Sequence, residues 1–119
     1  SIKKFKHKKE KNALLLEDKK NEIKTQTATA WSFFQSAESV LASTEAQLRA
    51  AEIANEGITL EYDSGNTRTT LEVIQSRSLL LEARISNAEA KKDFIISKMR
   101  LLMQVGGLDL KSFKYPNNQ

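Results

Sequence analysis

From Ile23 onward, apolar residues recur alternately four and three positions apart, through Thr27, Ala30, Phe34, Ala37, Leu41, Thr44, Leu48, Ala51, Asn55 and Ile58 to Tyr62. A four-three alternation places one residue per turn along a single stripe of a helix, which is the seam of a coiled coil. Thr27, Thr44 and Asn55 interrupt it but are small enough to sit in a seam. A second row through Trp31, Phe33, Val40 and Ala54 lies beside the first and widens the apolar face beyond what one neighbouring helix covers.

The second half of the chain repeats the situation. One row runs through Leu71, Ile74, Leu81, Ile85, Ala88, Ile95, Met99 and Leu102, and another through Val73, Leu80, Phe94, Leu101 and Val105. Two adjacent rows on each helix suit a closed ring of helices, with Leu81, Ile85 and Ile95 expected as seam packing residues together with Phe34, Leu41 and Leu48. Arg77, Arg84, Asn87, Lys91 and Lys98 interrupt the second row, so this flank is expected to be partly wet or to face a polar lumen.

Between the two periodic stretches lies a single break. Gly65 is able to take the positive φ that a helix terminus favours just past its last residue, so helix one ends near Ser64. Thr69 and Glu72 stand in S/T-x-x-E spacing, the capping box that opens a helix, so helix two starts near Thr70. The expected organisation is a basic, poorly ordered end over 1–12 and a helical hairpin over 13–106, followed by a tail over 107–119. Within the hairpin, helix one spans 13–64, the tip 65–69 and helix two 70–105. Gly106-Gly107 closes helix two by the C-terminal glycine rule, and Pro116, Asn117 and Asn118 belong to a polar tail. The fold class is all-α, a long antiparallel coiled-coil hairpin.

Composition narrows the chemistry. The 119 residues include no cysteine and one histidine, His7, which removes disulfide frameworks, thiolate metal sites and histidine acid/base chemistry. No metal site and no cofactor are expected. Glu52, Glu56 and Glu61 lie on the exposed side of helix one without a nucleophile, base or glycine-rich phosphate loop nearby, so the chain is not expected to be an enzyme. The net charge of +4 is concentrated at the beginning, where residues 1–24 hold nine lysines against four acids. Without a folded binding platform, such a run is read as a solvated face, not as a nucleic-acid site. No stretch reaches the roughly 18 apolar residues of a membrane-spanning helix.

The order of several short motifs resembles the second helical hairpin of the periplasmic tunnel in TolC-type outer-membrane efflux channels. Ala30-Trp31 and Ala50-Ala51-Glu52 precede Glu61-Tyr62 and Gly65; Arg68-Thr69-Thr70-Leu71-Glu72-Val73-Ile74 follows, and Leu101-Leu102 stands before Val105-Gly106-Gly107-Leu108. The resemblance implies one hairpin of a periplasmic α-barrel, contributed by a longer protein that forms a homotrimer. It implies a parent anchored in the outer membrane through a β-barrel outside this chain, with this segment in the periplasm. A periplasmic adaptor and an inner-membrane transporter would be its partners in exporting small molecules or proteins.

By the same resemblance, the tip residues Tyr62, Gly65, Arg68 and Glu72 belong to the entrance. Tyr62 and Arg68 would bond to neighbouring helices and hold it shut, and Glu72 would lie in an acidic constriction. The second acid of that constriction is here Gln75. One extra residue within Asn66-Thr67 lengthens the spacing between the tyrosine and the acid. The competing reading is a self-contained coiled-coil interaction module, such as the hairpin arm of a periplasmic adaptor; no lipoyl-type strands accompany it in this sequence.

Overall fold

In a computed structural model, the backbone is described for residues 1–65 and 67–114, and side chains are described within these limits as far as Gly107. The fold is all-α. Two long helices, α1 (Ile2–Asp63) and α2 (Thr70–Lys114), pack antiparallel as a hairpin. The chain divides into two compact units, one formed by Phe34–Lys98 and the other by Ser1–Phe33 with the segment from Met99 onward.

In the Phe34–Lys98 unit, the α1 seam follows the sequence pattern. Phe34, Ala37, Leu41, Thr44, Leu48, Ala51, Asn55 and Ile58 are all half-buried, the positions between them are exposed except for Glu45, and Thr59 beside Ile58 is half-buried as well. None of the α1 residues is fully buried, because a single neighbouring helix covers only a strip of its surface.

On α2, the expected seam lies on the wrong face. Leu81, Ile85 and Ile95 are 57%, 50% and 56% exposed, respectively, whereas the buried positions are Val73, Ser76, Leu80, Asn87, Ala90 and Ser97. Ala83 and Phe94 continue the same four-three row at half-burial. The physical reason lies in fit. The α1 seam carries Phe34, Leu41, Leu48 and Ile58, and the α2 face dominated by serine, alanine and asparagine offers the room that such side chains need. The leucine-isoleucine row is the face that α1 leaves uncovered.

The polar members of this seam are paired across it. The Ser76 hydroxyl donates to Asn55 Oδ1 at 3.2 Å, and the Asn87 amide donates to Thr44 Oγ1 at 3.3 Å. Eleven residues separate Asn55 from Thr44, and eleven separate Ser76 from Asn87, so both bonds report one antiparallel register. The Phe34 and Phe94 rings close the same unit, with centroids 5.5 Å apart and planes tilted by 34°.

In the other unit, Ile23, Thr27 and Ala30 of α1 and Leu101, Gln104, Gly106 and Gly107 of α2 are half-buried. The Gln104 amide donates to Gln26 Oε1 at 3.2 Å. Two expectations fail here. Residues 2–12 are helical, not irregular, since lysine, glutamate and leucine are good helix formers and no glycine or proline precedes Gly57. Lacking a sustained apolar period, the segment continues no seam against α2, and every residue as far as Glu22 is exposed. Likewise α2 continues through Gly106-Gly107 to Lys114, and neither glycine takes positive φ, so the expected stop at 105 and the tail beginning at 107 are not seen. Glycine disfavours a helix by about 1 kcal/mol but does not forbid it. The expectations for Asn66, Pro116, Asn117 and Asn118 lie outside the described residues.

Candidate functional site

The tip joining α1 to α2 gathers the charged and hydrogen-bonding side chains singled out by the sequence. The last turn of α1 is closed by its own residues: the Ser64 amide donates to Leu60 O at 3.0 Å and the Gly65 amide to Tyr62 O at 3.1 Å. Ser64 Oγ adds bonds to Leu60 O at 2.8 Å and Glu61 O at 3.1 Å. Gly65 takes φ of 75°, the left-handed conformation expected of it.

At the start of α2 both arms of the capping box are present. The Glu72 amide donates to Thr69 Oγ1 at 3.2 Å, and the Thr69 amide donates to Glu72 Oε2 at 3.1 Å. Glu72 is also the one acid in the first turn of α2, where the helix dipole favours negative charge.

Arg68 ties the two ends together. Its Nε donates to Glu61 Oε2 in the last turn of α1, and its Nη1 stands 3.9 Å from Glu72 Oε2 in the first turn of α2. The Glu61 carboxylate, by its hydrogen bond and then by its charge, raises the pKa of the Arg68 guanidinium above its ordinary value. Slight desolvation opposes this, and the charge of Glu72 adds a smaller contribution in the same direction. A second link joins the helices where the Tyr62 hydroxyl meets Thr70 Oγ1 at 3.3 Å. The Arg68, Glu61 and Glu72 side chains keep 39%, 49% and 40% of their surface exposed, so the tip is a partly solvated clip between helix ends and not a desolvated pocket.

Beside the clip, a groove of about 250 Å³ runs between the helices, with Ala54 and Ile58 on one wall, Gln75 and Leu79 on the other, and Arg68 and Glu72 at its edge. Gln75 therefore shares a groove with Glu72. Among the described residues no group of three or more His, Cys, Asp or Glu side chains is placed to hold a metal ion, and no helix is long and apolar enough to cross a membrane.

Tyr62, Gly65, Arg68 and Glu72 thus lie together at the tip, whereas the seam residues Phe34, Leu41 and Leu48 lie along α1. Sequence reasoning missed Glu61 and Thr70 as the partners of Arg68 and Tyr62. Glu61, expected among the solvent-facing acids, pairs with Arg68 instead; the signal for it in the sequence is its opposite charge to Arg68 across a short turn.

Comparison with protein-family models, curated proteins and solved structures gives no match to this chain.

Proposed function

We propose that this chain is the tip-bearing hairpin of a periplasmic helical tunnel, contributed to a trimeric outer-membrane channel of the TolC type that exports small molecules or proteins. The observation that carries the reading is the leucine-isoleucine row of α2, which α1 leaves uncovered. Leu71, Ile74, Leu81, Ile85 and Ile95 follow coiled-coil spacing, yet all are at least half exposed. A hairpin working alone needs only its inner seam, while a hairpin in a closed ring of helices needs a second row for the next helix. The tip supports the reading as well, because Arg68 and Tyr62 link α1 to α2 at the end that would meet an entrance or an adaptor.

This segment contains no cysteine of its own, so thiols introduced into it report on it. Leu81→Cys in the full-length protein, paired with a second cysteine scanned along the exposed face of α1, should give disulfide-linked trimers in the outer-membrane fraction under mild oxidation. Folded protein that crosslinks at no position would overturn the ring and return the chain to a self-contained interaction hairpin.

A further inference from the structure

The beginning of α1 carries a feature that the tunnel reading does not use. Between Lys3 and Lys11 there are six lysines and one acid, Glu10, and all are exposed. None of the six forms an ion pair with a carboxylate among the described residues. Within this basic segment, Ile2 and Phe5 are 79% and 71% exposed. Because they stand three residues apart on a helix, they share one face. Lys8 and Lys9 follow Phe5 at three and four residues and continue that face, while Lys4 and Lys6 lie about 100° to either side of Phe5. Leu16, eleven residues beyond Phe5, returns to within about 20° of it and is also exposed.

We infer that this end of α1 lies on an anionic phospholipid surface, with Ile2 and Phe5 entering the headgroup boundary and the surrounding lysines reaching the lipid phosphates. Long lysine stems allow the ammonium groups to spread sideways while the apolar face goes in. Charge complementarity selects an anionic partner, and the apolar pair selects a bilayer over a nucleic acid. A phosphate backbone rewards lysine but has no use for an exposed isoleucine and phenylalanine on the same face. Near a charged surface each lysine strengthens partition about fivefold, and each large apolar side chain withdrawn from water contributes about tenfold or more. The inference concerns the beginning of α1 and does not depend on the tunnel reading.

The test is cosedimentation of the whole chain with phosphatidylglycerol vesicles and, separately, with phosphatidylcholine vesicles. Binding is expected to the former alone and should weaken as salt rises. Lys4→Gln with Lys8→Gln should lower partition by about 25-fold, at about fivefold per lysine. Phe5→Ser should lower it about tenfold or more without any change in charge, and circular dichroism should show both variants still helical. Three results would each overturn the inference. The first is no binding to phosphatidylglycerol at low salt. The second is binding that Phe5→Ser leaves unchanged and that duplex DNA competes away, which would mark a general polyanion site. The third is binding abolished by Leu81→Glu but untouched by the lysine and Phe5 variants, which would place the contact on α2.

Discussion

Asn87 donates its side-chain amide to the hydroxyl of Thr44 at 3.3 Å, from a position only 3% exposed. The same hydroxyl donates to Leu41 O at 3.0 Å, so Thr44 is satisfied as donor within its own helix and as acceptor across the seam. Such a pair contributes modestly to stability but strongly to register, since sliding α2 by a turn would leave a buried amide unpaired.

Asn87→Ala should therefore destabilise the hairpin by about 1–3 kcal/mol in urea denaturation, the cost of losing a buried partner. In a double-mutant cycle with Thr44→Val, the coupling should be about 0.5–1.5 kcal/mol. Strictly additive effects would separate the two residues.

Leu80 and Leu81 are neighbours in sequence with opposite roles. Leu80 is 7% exposed and Leu81 is 57% exposed, so Leu80→Ala should cost about 2–5 kcal/mol while Leu81→Ala should change stability by no more than about 0.5 kcal/mol. Both are to be measured at a concentration where sedimentation shows a monomer. The reverse order would put the interhelical seam on the leucine-isoleucine row.

Alanine should act with opposite sign at two glycines. A Cβ at either Gly65 or Gly57 meets nothing within 4 Å, so only the backbone decides. Gly65 has φ of 75°, and Gly65→Ala should cost about 1–2 kcal/mol. Gly57 is an ordinary helical residue within α1, and Gly57→Ala should gain about 1 kcal/mol. Thermal unfolding of the two variants reads both.

Thr69→Ala removes the acceptor for the Glu72 amide and should cost about 0.5–2 kcal/mol, while Thr69→Ser should restore most of it. Amide exchange confined to the first turn of α2 would locate the effect; exchange changed evenly along both helices would contradict a local cap.

In the full-length channel of the proposed function, Tyr62→Phe combined with Arg68→Ser releases both links at each tip and should raise conductance in planar bilayers. Glu72→Gln should instead reduce cation preference, because a ring of carboxylates attracts cations and glutamine keeps the size without the charge. Unchanged conductance in a folded trimer carrying the double variant would remove Tyr62 and Arg68 from the entrance.

The sequence by itself determined the elements whose causes are local. Helix periodicity from Ile23 to Ile58, the turn at Gly65 and the reciprocal Thr69–Glu72 cap each depend on residues within a few positions of one another, and each stands where the spacing puts it. The α1 seam was legible for the same reason, since one row there clearly exceeds its flanks in continuity. Local rules also misled at both ends, where a lysine run without an apolar period and a glycine pair were read as breaks although helix propensity carries the backbone through them. Tertiary structure alone decided which face of α2 meets α1. Two adjacent rows compete there, and periodicity cannot rank them, because the choice depends on complementarity with a helix some tens of residues away. Bulky α1 side chains select small α2 partners, and the hydrogen bonds from Ser76 and Asn87 to Asn55 and Thr44 hold that selection in register. The pairing of Arg68 with Glu61 was decided in the same way, by a turn that brings two charges within reach only once both helices are in place.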